Sequence, residues 1–88
     1  MNPAMFSLFE RLLERVSLSN EEVTLVENFM ICMEAYNEQH GLKVAQEVKG
    51  ETGSIHSENM TRCATVMSGS VDAVTSLLQK HKEQIVAD

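Results

Sequence analysis

The sequence has few cysteines to cross-link a small fold and no long apolar segment to hold a protein in a membrane. Two cysteines, Cys32 and Cys63, occur among 88 residues, too few for the disulfide framework of a secreted mini-protein. No apolar run approaches the ~20 residues that span a bilayer, and the N-terminus lacks the basic start of a signal peptide. These absences predict a cytoplasmic protein without membrane association, whose cysteines are free thiols.

Proline is almost absent too, and its one occurrence fits the start of a helix. Pro3 follows Asn2, and asparagine is a favoured N-cap while proline suits the first helical position. Apolar residues then recur every three or four positions as far as Val16, which predicts an amphipathic helix over residues 3–16. Because long stretches also lack glycine, we predict an all-α fold in a single domain, residues 1–88.

The second segment has a clear start signal. Ser19 precedes Glu22 by three residues, the spacing of a capping box, and Gly41 suits a C-terminal stop. We predict a helix over residues 20–40, apolar over about half its circumference and so wider than the ~100° that one packed face needs. Ile31 lies outside even this arc, among polar residues.

The rest of the chain divides into an ambiguous stretch and a strongly periodic one. Residues 41–56 are predicted as a loop or short helix, with a short strand as the alternative. Residues 57–86 carry apolar positions at alternating spacings of four and three, which predicts a long helix. Gly69 costs about 1 kcal/mol in a helix interior, so one helix and two helices in line remain open.

Basic residues are missing from the middle of the chain. The net charge is −6, and five glutamates but no lysine or arginine occur between Val16 and Leu42. This balance disfavours direct binding to nucleic acid or to anionic lipid. A solvated acidic face is the simplest interpretation, and a basic partner surface or mimicry of nucleic acid is the alternative.

Residue patterns typical of catalysis are also absent. The cysteines and histidines never reach the close paired spacing of a zinc site, and neither cysteine has the basic or glycine-rich surroundings of a nucleophile. The glycines near residue 50 lack the lysine of a phosphate-binding loop. We predict no enzyme activity, no metal and no cofactor; a site formed only across a dimer interface is the remaining catalytic alternative.

The apolar surface exceeds what three helices can cover. Three antiparallel amphipathic helices, or four if the last one breaks, would leave apolar residues uncovered on the longest helix, and such a patch normally marks an interface. We therefore predict a dimeric helical bundle, a homodimer, whose orientation the heptads do not determine. The predicted dimer interface consists of Phe29, Met33, Met60, Ala64, Met67, Val71, Val74 and Leu78.

The predicted function is to bind another protein through an amphipathic helix face, as a small adaptor, chaperone or inhibitor does. The target is expected to present a basic surface. A regulator that masks a DNA-binding protein or mimics nucleic acid is the alternative. The predicted partner-binding residues are Met5, Phe6, Phe9, Leu13, Glu27, Glu34 and Glu38. Truncation of Phe9 is expected to weaken binding without unfolding the protein.

Overall fold

The structure, a computed structural model, describes residues 3–86. Within that range it contains no strand and five helices, which confirms the all-α prediction. The helices are α1 Pro3–Arg15, α2 Asn20–Val48, α3 Ser54–Ser68, α4 Val71–Lys80 and α5 Lys82–Val86. The proposed N-cap Asn2 lies outside the described residues.

The capping box at the start of α2 is confirmed. The amide N–H of Glu22 donates to Ser19 Oγ at 3.1 Å, and the amide N–H of Ser19 donates to Glu22 Oε1 at 2.9 Å. The hydrogen bond from the Ser19 backbone is the main reason that the pKa of Glu22 is lowered from its ordinary value of 4.5. This carboxylate lies in the first turn of α2, where it also faces the positive end of the helix dipole.

The predicted end of α2 at residue 40 is wrong. The helix passes through Gly41 and continues to Val48, and Lys43 and Glu47 form an ion pair one turn apart at 3.6 Å on this continuation. Glycine ends a helix when the following chain needs a left-handed residue, and in this chain Gly50 and Gly53 take that conformation, with φ of 84° and 62°. The reversal therefore falls after Val48.

The helical segment predicted over residues 57–86, either as one helix or as two in line, is broken twice. It begins earlier, at Ser54, ends first at Ser68 and again at Lys80. At the first break the amide of Gly69 donates to the carbonyl of Val66 at 3.3 Å, which is the tighter hydrogen-bonding pattern of a terminal turn. The periodic apolar stripe is thus divided among α3, α4 and α5, and three of its members, Met67, Val74 and Ile85, are buried in one core.

The core lies at one end of the molecule. Its ten buried apolar residues come from α1, from residues 26–33 of α2, from the end of α3, and from α4 and α5. Residues 37–63, which we call the arm, comprise the end of α2, the loop and most of α3. Gly53 is the only buried residue in the arm. The molecule is elongated, with extents of 47 × 26 × 16 Å. Its radius of gyration of 15.2 Å exceeds the ~12 Å radius of gyration of a compact chain of this length.

Contacts along the arm show that α3 runs back beside α2. Gly53 lies against Lys43, so closely that an added Cβ would approach the Lys43 carbonyl oxygen to 3.2 Å. One turn further toward the core, His56 Nδ1 lies 2.6 Å from Gln39 Oε1, which also accepts a hydrogen bond from Asn59 Nδ2 at 3.1 Å. Among residues 3–86, no helix is both long and apolar enough to cross a membrane.

Candidate functional site

A shallow groove of about 210 Å³ runs between α1 and α2 on the surface of the core end. We call it the acidic groove, and it is lined by Phe6, Leu13, Glu27, Met30, Ile31 and Glu34. Four of these six side chains are apolar and the other two are carboxylates. An open apolar surface with a few polar groups at its edge is the usual form of a site that binds an apolar group.

Helical periodicity explains why these side chains meet. Phe6 and Leu13 are seven residues apart on α1, and Glu27 and Glu34 are seven residues apart on α2. Seven residues are almost two turns, so each pair shares one side of its helix, with members about 10 Å apart along the axis. The groove therefore spans two turns of both helices.

The core directly joins the two helices that form the groove. The rings of Phe9 and Phe29 pack with centroids 5.4 Å apart and planes inclined by 60°, an arrangement that favours the edge of one ring against the face of the other. Phe9 is 1% exposed. Because this contact ties α1 to α2, the walls of the groove are held by the core rather than by surface contacts.

Charge is divided between the two sides of α1. Arg11 Nη1 donates to the carbonyl of Ile85 at 3.3 Å, and Arg15 Nη1 donates to the carbonyl of Gln84 at 3.2 Å, so both guanidinium groups face α5. The acidic groove has no basic residue among its lining side chains, and α2 has no lysine or arginine before Lys43. The side chains that line the groove therefore carry only negative charge.

The structure brings together four of the seven predicted partner-binding residues, namely Phe6, Leu13, Glu27 and Glu34. Met5 and Glu38 are exposed but do not line the groove. Phe9 needs a correction, because its side chain is buried in the core and offers no surface to a partner. Its truncation is now expected to destabilise the fold.

Two lining residues, Met30 and Ile31, were absent from the predicted set. Met30 is 9% exposed and forms the floor, whereas Ile31 is 61% exposed. The sequence did contain a signal for Ile31, since it is the apolar residue that falls outside the arc of α2 among polar neighbours. An isolated surface isoleucine is common, so its meaning depended on knowing that Phe6 and Leu13 lie beside it.

The eight residues predicted for a dimer interface differ in how far they are buried. Phe29, Met33, Met67 and Val74 are buried within the chain. Of the rest, Met60 and Ala64 line an open groove of about 410 Å³ on the arm, together with Tyr36, Lys43, Ser57, Thr61, Thr65 and Ser68. Val71 is 43% exposed and Leu78 is half-buried against the core.

Within residues 3–86, no group of three or more histidine, cysteine, aspartate or glutamate side chains is arranged to hold a metal ion. The thiols of Cys32 and Cys63 are both free and half-buried. No protein-family model, no curated protein and no solved structure matches this chain.

Proposed function

We propose that the protein acts by binding another protein, and that the acidic groove is its contact site. The observation that carries the proposal is that apolar side chains and unpaired acidic charge converge on one open surface. Ile31 is 61% exposed there, and Glu27 and Glu34 flank it without a basic neighbour in the groove.

The partner that fits this surface is an amphipathic helix with basic flanks. An apolar side chain of the partner would contact Phe6, Leu13 and Ile31, and the removal of this surface from water would supply most of the affinity. Lysine or arginine residues about two turns apart on the partner would face Glu27 and Glu34, which lie about 10 Å apart along α2. Such charges steer association and select the partner more than they tighten the complex.

The experiment measures binding of a synthetic helical peptide that has leucines on one face and a pair of flanking lysines seven residues apart. We expect the double variant Glu27→Lys/Glu34→Lys to lose at least about tenfold in affinity, equivalent to roughly 1.4 kcal/mol. Fluorescence anisotropy of the labelled peptide gives the dissociation constant. Ile31→Ser is expected to weaken binding as well, without removing charge.

The matched control is Glu51→Lys/Glu58→Lys, which changes the net charge equally on exposed residues of the arm. A small loss of peptide affinity in this control supports the acidic groove as the binding site, because the control changes only the overall electrostatic attraction between protein and peptide. Equal losses in both double variants would mean that the peptide responds to net charge, and the groove would not be the site.

The arm supports a second part of the proposal, that the protein associates with a copy of itself. The accessible surface of 5980 Å² is about 800 Å² larger than the ~5,200 Å² of a compact monomer of this mass. That excess equals the ~800 Å² that each partner buries in a standard interface. The groove containing Met60 and Ala64 is the proposed contact, because small residues on α3 permit close approach of a second helix.

Sedimentation equilibrium at micromolar concentration tests self-association. We expect a mass of twice 9.8 kDa, reduced to a single chain by Ala64→Glu, which places a charge in the middle of the proposed interface. The control Arg62→Glu alters an exposed residue outside this groove and is expected to leave the mass unchanged. A monomer in the unaltered protein would refute this part of the proposal.

A further inference from the structure

The pairing of α2 with α3 has a regular register that extends beyond the contacts of the arm. The polar contact between Gln39 and His56 marks one layer of the interface. Closer to the core, Tyr36 and Met60 line the same groove. Nearer the core again, Phe29 and Met67 are both buried and line one cavity. Each step toward the core moves three to seven residues back along α2 and a similar number forward along α3.

The register of this interface predicts that the two cysteines share one layer. Cys32 is seven residues before Gln39, and Cys63 is seven residues after His56. Because seven residues return each helix to nearly the same side after almost two turns, both cysteines keep the facing direction of the Gln39–His56 contact. The layer is bracketed by Tyr36 and Met60 on one side and by Phe29 and Met67 on the other.

We propose that Cys32 and Cys63 are a modification site, a dithiol that closes into a disulfide between α2 and α3. The oxidant is a small-molecule disulfide of the glutathione class. Spacing in the sequence does not suggest this pair, since 30 residues separate the two cysteines; the register of the α2–α3 hairpin is what pairs them.

The reaction is thiol–disulfide exchange in two steps. One cysteine thiolate attacks a sulfur of the oxidant, so that a mixed disulfide forms and one small thiolate leaves. The second cysteine thiolate then attacks the protein sulfur of the mixed disulfide, and the other small thiolate leaves. The protein loses two hydrogens as protons and two electrons, and the oxidant is reduced to two thiols.

The surroundings of the cysteines suit this exchange. Both residues are half-buried rather than enclosed in the core, so each keeps part of its surface in contact with solvent. Cys32 also lines an open cavity of about 370 Å³ beside Phe29, Val66 and Met67. The neighbouring layers hold the two helices in register, which keeps the second thiol near the first mixed disulfide. This proposal does not depend on the acidic groove or on self-association.

The test treats the reduced protein with excess oxidised glutathione and analyses the product by intact mass and by tryptic digestion. We expect a single chain lighter by two hydrogens, with the peptide 16–43 linked to the peptide 63–80. The melting temperature of this product should rise by about 10 °C or more, because the bond closes a long loop in the unfolded chain. Reduction should restore the original melting temperature.

The control transfers one thiol to another side of α3. Glu58 is exposed and lines neither of the grooves that α2 and α3 share, so the variant Glu58→Cys/Cys63→Ser should take up glutathione on each cysteine without forming a disulfide between the two helices. The single variants Cys32→Ser and Cys63→Ser should each take up one glutathione. In the unaltered protein, stable glutathione adducts, a cross-link between two chains or no reaction would each overturn the proposal.

Discussion

Phe9→Ala is expected to lower the free energy of unfolding by about 3–5 kcal/mol, the range for removing a buried aromatic ring. Phe9 is 1% exposed and packs against Phe29, with ring centroids 5.4 Å apart. Alanine would forfeit the transfer energy of the ring and leave a cavity between α1 and α2. A domain of this length has roughly 4–13 kcal/mol of stability in total, so the variant loses a large share of it.

Phe6→Ala is the matched control, because it makes the same chemical change one turn earlier on α1. Phe6 is only partly buried and lines the acidic groove, so its truncation is expected to cost about 1–2 kcal/mol. Urea unfolding followed by circular dichroism gives both values. Equal losses for the two variants would contradict the division of α1 into a core side and a groove side.

Local signals in the sequence were sufficient for the starts of α1 and α2. The apolar period from Met5 to Val16 and the capping box at Ser19 depend on residues within one or two turns, and the structure contains α1 and the box as predicted. The all-α class follows from the same local information.

The ends of the later helices depend on contacts between distant residues. Gly41 has no neighbouring side chain that an added Cβ would meet, and α2 continues through it because the turn residues that reverse the chain are Gly50 and Gly53. The heptad stripe of residues 57–86 was real, but a period cannot show whether one straight helix carries it. Three shorter helices that fold toward one core bury Met67, Val74 and Ile85 together.

The candidate site also combines features that local sequence predicts with features that depend on contacts between helices. The amphipathic pattern identified Phe6 and Leu13 as apolar, and the absence of lysine and arginine identified the acidic stretch of α2. The amphipathic pattern could not show that Phe9 lies in the core, because Phe6, Phe9 and Leu13 all belong to one broad apolar stripe. The packing of α1 on α2 determines which part of that stripe is buried. The same packing brings Ile31 beside the part that stays partly exposed, Phe6 and Leu13.

Ile85→Ala is expected to destabilise the docking of α5, with a loss of about 2 kcal/mol, the lower end of the range for this substitution. α5 has five residues, far fewer than an isolated helix needs. Ile85 is its one buried residue, 2% exposed, and the carbonyls of Gln84 and Ile85 accept the hydrogen bonds of Arg15 and Arg11. The side chain therefore holds α5 in place.

Val86→Ala is the matched control, since Val86 is 53% exposed and the change should alter stability by no more than about 0.5 kcal/mol. Hydrogen exchange then separates detachment of α5 from global unfolding. The amide of Ile85 donates to the carbonyl of His81 at 3.2 Å, and in Ile85→Ala this amide should exchange much faster while amides near Phe29 stay protected. The loss is limited because, once α5 has detached, the contact between Phe9 and Phe29 still holds α1 on α2. A uniform rise in exchange over all helices would instead make α5 part of the cooperative core, and the loss of stability would then approach 5 kcal/mol.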